Sequence, residues 1–205
     1  MEQLPGLTPA AFAKEDTAPD AEFYDFPRFV THIDDAAIAA VTRVYRDTLP
    51  PDGDVLDLMS SWVSHLPEDM NYASVVGHGM NAEELAANKR LTKWFTRDLN
   101  VEPVLPLDDG SFDGACLCVS VQYLQRPVDV FRDVLRVLRL GAPFVVSFSN
   151  RCFPTKAVAI WRGLSGPDQE LLVSAYMREA GFSDVTERSS TPRSGDPLWT
   201  VIGTK

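Results

Sequence analysis

Several side chains in this 205-residue sequence have the chemistry to move a proton or hold an anion near neutral pH. His32 and His65 titrate in that range and can accept or deliver a proton; the plainer use of each is a helix cap or a solvated imidazole. Tyr24 and Tyr123 offer phenols, or pack in a core with the hydroxyl satisfied. Arg28 and Arg151 can hold a carboxylate in a bidentate fork, or pair internally with one of the many acids. Gln122 and Asn150 are polar residues at the ends of apolar runs, where they can position a substrate.

A second constellation is the run Val55-Leu56-Asp57-Leu58, which reads as a buried strand carrying a carboxylate. Many α/β folds turn at such a point through a Gly-rich loop into a helix, whose amide groups meet a ligand. Here the turn reads Met59-Ser60-Ser61-Trp62-Val63. Ser60 and Ser61 supply hydroxyls, and Trp62 a flat apolar wall or a partner for a cation. Cys116 and Cys118 share one side of a strand and Cys152 follows the next strand; buried packing explains them better than a thiol cluster. The three histidines lack ligand spacing, so no metal site is expected.

Positioning these groups requires a regular frame. Strands are expected at 54–58, 74–78, 93–97, 112–119 and 143–149. Helices are expected from Asp34 or Asp35 to about Asp47, then at about 81–88, 127–139, 153–162 and 167–180. The clearest is 127–139, with Pro127 in its first turn, a stripe of Phe131, Val134, Leu135 and Leu138, and Gly141 as its stop. The alternation implies a mostly parallel sheet covered on both faces. Runs at 183–188 and 198–204, joined by a Ser/Pro/Gly turn region, suggest an antiparallel pair at one edge. Residues 1–22 read as a loosely ordered extension, and 23–205 as one domain with a helical cap over 23–50. The aromatic segment "FYDFPRFVTHID" should pack on the domain, over a site.

The string "LPLDDGSFDGACLCVSVQYLQRPVDVFRDVLRVLRLGAPFVVSFSN", residues 105–150, resembles the central segment of class I S-adenosylmethionine-dependent methyltransferases, especially the small-molecule group called type 11. A weaker likeness runs from about residue 40 to the C-terminus. The resemblance implies a Rossmann-like three-layer α/β sandwich with a seven-stranded sheet, its last strand antiparallel, and S-adenosylmethionine at the carboxyl ends of the strands. Carried over by position, Asp57 lies near the methionine half of the cofactor, and Met59, Ser60, Ser61 and Trp62 form its loop. Asp98 and Leu99 match the acid and the amide that meet the adenine. Ser120 and Gln122 match the strand end facing the methyl group.

Two departures from that pattern stand out. Its glycines would fall at 59, 61 and 63, so the loop must take another path. The carboxylate that usually chelates the ribose is replaced by Gly79, leaving Asn81 or the Met80 backbone as partial substitutes.

The formal net charge of −10 disfavours nucleic acid, because binding to phosphates needs clustered Lys and Arg. No stretch has the length and apolarity of a membrane span or a signal core. These features lead to the expectation of a cytoplasmic methyltransferase acting on a small molecule, with residues 23–32 closing over the site. The alternative is a catalytically inactive methyltransferase-fold binding or interaction module. Neither the methyl acceptor nor the oligomeric state is legible.

Overall fold

The computed structural model describes residues 3–190 and 195–205. Seven strands, β1 (Asp54–Leu58), β2 (Ser74–Gly79), β3 (Lys93–Thr96), β4 (Gly114–Cys118), β5 (Pro143–Phe148), β6 (Ser183–Ser190) and β7 (Leu198–Thr204), form one sheet in the order β3-β2-β1-β4-β5-β7-β6. The pairs from β3 through β5 are parallel, and β7 runs antiparallel to both β5 and β6. Strands β1, β4 and β5 are buried almost throughout, as expected of parallel strands covered on both faces. This is the α/β architecture expected from the sequence, including the antiparallel edge.

Helices α1 (Asp20–Tyr24), α2 (Asp35–Thr48), α3 (Ala82–Ala87), α4 (Pro127–Val137), α5 (Ala159–Gly163) and α6 (Gly166–Ala180) complete the layers. On one face Phe131 and Val134 of α4 and Val173 and Tyr176 of α6 pack on Leu56, Leu117 and Phe144. On the other, Ala37, Val41 and Tyr45 of α2 pack on Val55, Cys116 and Val145. The Asp34 side chain accepts from the Ala37 amide and caps α2, and Gly181, at φ 104°, ends α6 in the left-handed conformation.

Three sequence expectations are corrected. The helix placed at 153–162 begins only at Ala159, and residues before it form the loop that carries Phe153. The described part of the stretch read as loosely ordered, 3–22, is anchored on the domain: Leu4 and Phe12 join the main core, and Lys14 pairs with Asp20 in a buried contact. Its mixed composition hid two apolar anchors set in polar surroundings. The strand expected over 112–119 is trimmed to β4, with Phe112 making only an isolated bridge to Leu138. The turn region expected between the last two strands lies in part at 191–194, outside the described residues.

The connection from β1 to β2, residues 59–73, contains no helix. Crossovers between parallel strands usually carry one. Here α2 covers that face of the sheet, with Leu66 of the connection beside it. The loop therefore has no helix amino terminus to present, and the glycines that serve such a turn have no role. No helix among the described residues is long and apolar enough to cross a membrane.

Candidate functional site

A cavity of about 350 Å³ opens at the carboxyl ends of β1, β2 and β4. That end of the central strands is where open α/β sheets bind ligands. Its walls come from the loop after β1, the turn after β2, residues 97–100, the end of β4, and a strap formed by residues 20–32.

The loop after β1 is held by His78, a β2 side chain that is only 1% exposed. Its Nδ1 accepts from the Met59 amide at 3.1 Å and its Nε2 donates to the Arg97 carbonyl at 2.9 Å. This fixes one tautomer, and burial pushes the imidazole pKa down to about 4. The amide of Ser60 donates to the His78 carbonyl at 2.6 Å. Met59 consequently sits at φ 53°, doing without glycine what that position demands. At the neighbouring strand end Val119 also has positive φ, 45°, a conformation that costs a β-branched residue about 1–3 kcal/mol. Both strained residues line the cavity.

Asp57 is buried, and its carboxylate accepts from the Ser60 hydroxyl at 2.6 Å, from Ser64 and from the Cys116 thiol. Burial raises its pKa against the lowering effect of those donors. The Asn88 side-chain amide ties the loop further, donating to the Ser61 carbonyl at 2.8 Å and to Ser64 Oγ at 3.0 Å. A Cβ on Gly79 would lie 2.5 Å from the Ser60 carbonyl oxygen, so this loop path requires glycine there.

Glu84 of α3 is only 8% exposed and places a carboxylate on this wall. Its Oε2 accepts from Ser61 Oγ and its Oε1 accepts from the Arg28 amide at 2.7 Å. Asn81 caps α3 with its oxygen and donates to the Tyr24 and Asp25 carbonyls at 2.9 and 3.0 Å. Farther along the strap, the indole of Trp62 donates to the Val30 carbonyl at 3.0 Å. The other end is anchored by Lys156, which is fully buried among Asp16, Asp20 and the Ala18 carbonyl. Asn100 links this anchor to the site, donating to Asp20 Oδ2 at 2.9 Å and to the Tyr123 carbonyl at 3.0 Å.

At the cavity mouth the ring of Phe153 contacts those of Phe23, His32 and Tyr123, with centroids 5.2, 5.6 and 6.0 Å away. Desolvation lowers the pKa of His32 and of His65, and His32 lowers that of His65 further, so both are neutral at pH 7. The phenols are pushed the other way by burial, Tyr123 up to about 12 and Tyr24 higher still, so each keeps its proton. Tyr123 Oη accepts from the Phe153 amide at 2.9 Å. On the floor, the buried Tyr45 hydroxyl sits beside Ser147 and the thiols of Cys116 and Cys118 without a well-directed hydrogen bond to any of them.

Most of the candidate residues thus meet on one cavity. Asp57, Met59, Ser60 and Ser61 line it from β1 and its loop, Gly79, Met80 and Asn81 from the β2 end, and Asp98, Leu99, Ser120 and Tyr123 from the adjoining turns. Tyr24, Arg28, His32, His65 and Arg151 line it as well. Trp62 instead turns outward to the strap. Gln122 is buried, donating to the Val119 carbonyl at 2.9 Å, and is not on the cavity wall. Asn150 is exposed beside Ser149 and is also off the wall. Sequence reasoning missed His78, Glu84, Asn88, Asn100 and Phe153. For His78 a signal existed, since an imidazole between two glycines in a buried apolar run must find partners for both ring nitrogens. Among the described residues no cluster suited to a metal ion occurs.

Residues 60–146 match the profile of a methyltransferase domain family of type 11. No curated protein sequence matches the chain significantly. Among solved structures, the fold is similar to that of the 4+2 cyclase SpnF, with 16% identity, TM-score 0.64, and 83% of this chain and 82% of that one covered. A Thermotoga maritima protein described as an S-adenosylmethionine-dependent, possible histamine N-methyltransferase has 17% identity and TM-score 0.60, with 82% and 89% covered. Phosphoethanolamine N-methyltransferase 2 of Haemonchus contortus, in complex with S-adenosyl-L-methionine, has 12% identity and TM-score 0.60, with 82% and 52% covered. The match over residues 60–146 and the shared fold make the chain similar to the type 11-like class I S-adenosylmethionine-dependent methyltransferases, a grouping whose cofactor is S-adenosylmethionine.

Proposed function

We propose that the chain transfers a methyl group from S-adenosylmethionine to a small-molecule acceptor held beneath the strap. The observation that carries this reading is the strap-walled cavity that joins Asp57, Glu84, Asp98 and Leu99 to Tyr24, His32 and Tyr123. A wall of this kind suits a compact acceptor, and the charge of −10 argues against a polyanionic one.

The donor set fits the cofactor. The Leu99 amide has no hydrogen-bond partner among the described residues, and Asp98 commits its Oδ1 only to the Asn100 amide, so acid and amide are open to an adenine edge. Glu84 stands on the wall where Gly79 supplies no carboxylate, and it would take the ribose hydroxyls by exchanging them for Ser61 Oγ. Met59, Ser60 and Ser61 would border the methionine half. When bound, the cofactor supplies an electrophilic methyl group with its own leaving group.

The chain's remaining task is positioning and exclusion of water. The strap supplies the outer wall, and Tyr24 and Tyr123 donate hydrogen bonds rather than accept protons. His32 or His65, neutral at pH 7, takes the proton from an acceptor that must lose one.

The test is product formation: the protein with S-adenosylmethionine and a library of small metabolites, read as S-adenosylhomocysteine released. Acceptor-dependent release supports the reading, and its absence across the library contradicts it. Glu84→Gln should weaken S-adenosylhomocysteine binding about 10- to 100-fold, the loss that matches about 1.5–3 kcal/mol for a hydrogen bond to a charged group.

A further inference from the structure

Three cations reach the cavity wall, Arg28, Arg97 and Arg151. Arg97 pairs with Glu102 at 2.8 Å, and Arg151 pairs with Asp196 at 2.8 Å. Arg28 is the cavity cation without a carboxylate partner among the described residues. Its guanidinium is oriented instead by neutral groups. It donates to the Phe26 carbonyl at 3.2 Å and to the Phe23 carbonyl at 2.8 Å. Aromatic faces surround it, with Phe23, Phe153 and Tyr24 centroids 4.5, 5.7 and 5.9 Å from Cζ. A guanidinium has five N–H donors, and these two contacts leave three of them, the Nε donor included, uncommitted.

We infer that Arg28 is the specificity residue for an anionic acceptor: a planar, apolar molecule bearing a carboxylate, which stacks against Phe153 and Tyr24 and takes the open edge of the guanidinium. This deepens the proposed methyl-transfer reading and rests on it for the word acceptor. A rigid, stacked guanidinium matches a carboxylate bidentately, which a lysine in its place would not do. In a chain of charge −10 long-range attraction works against an anion, so selection must come from this local contact. The preference should therefore persist in salt better than a surface pairing would. With His32 and His65 neutral, Arg28 is the cation beside the aromatic mouth that no carboxylate among the described residues pairs with.

The test uses three probes of nearly one shape, benzoate, benzamide and benzylamine, titrated into the full chain by ligand-observed NMR with and without saturating S-adenosylhomocysteine. Benzoate should bind at least tenfold more tightly than benzamide, with benzylamine weakest. Arg28→Gln should erase the preference, and Arg28→Lys should retain only part of it. If the variants fail to fold, the ranking on the native chain still decides. Equal binding of benzoate and benzamide, tighter binding of benzylamine, or binding of none at tens of millimolar overturns the inference, as does a preference that survives Arg28→Gln. A parallel titration with S-adenosylhomocysteine alone separates failure of the cofactor reading from failure of the anion site.

Discussion

The Ser60 carbonyl oxygen occupies the space a side chain at Gly79 would need, 2.5 Å from an ideal Cβ. The missing loop glycines and the missing ribose acid are thus one structural event. Once the loop after β1 folds back onto β2 without a helix, position 79 has room only for glycine. Introducing the acid of the class I methyltransferase pattern by Gly79→Asp should therefore lower stability by about 2 kcal/mol or more, the scale of forced overpacking, without tightening cofactor binding. Denaturant unfolding and a cofactor titration on the same variant check both halves. A stable variant with higher affinity would mean that the loop yields easily.

His78 makes stability depend on pH. Its folded pKa of about 4 lies below the ordinary 6.5, so the fold favours the neutral ring. The contribution is complete above pH 6.5 and is lost as the pH falls from there toward about 4, because the unfolded chain takes up the proton first. The loss should reach about 3 kcal/mol, at up to about 1.4 kcal/mol per pH unit. Unfolding free energies at several pH values, compared with His78→Asn, should show a flatter profile for the variant over that window. Parallel profiles would contradict the pinning role.

Lys156 is a buried cation whose anchors, Asp16, Asp20 and the Ala18 carbonyl, all belong to the N-terminal segment. Replacing it by Met removes one partner of a buried pair, which costs about 3–5 kcal/mol where no other cation compensates. With Lys14 still on Asp20, the low end is expected. Limited proteolysis should then cut within residues 3–33 much earlier than in the native chain. Unchanged protection would show that Leu4 and Phe12 hold the segment unaided.

How legible this was in the sequence varies with the kind of signal. The stripe on α4 and the apolar runs of β1, β4 and β5 announce themselves because a local period reports one buried face. The 153–162 segment misled because its apolar residues face different neighbours: Phe153 joins the aromatic mouth, while Ala157 and Trp161 join the core. Glu84 looks in sequence like an ordinary acid in the first turn of a helix. Its site role arises only when Ser61 and the Arg28 amide, far away in the chain, converge on it. The same long-range convergence explains Asn88, Asn100 and Lys156. The absent glycines at 59, 61 and 63 are a readable sign that the loop takes another path, and that path carries no helix after β1.

The central claim is that this rebuilt, helix-free loop still borders a working cofactor site. Isothermal titration of the protein with S-adenosylmethionine, and separately with S-adenosylhomocysteine, tests it most directly. Saturable one-to-one binding in the micromolar range is the expected result. No heat of binding at millimolar concentrations of either compound, from folded protein, would contradict the account.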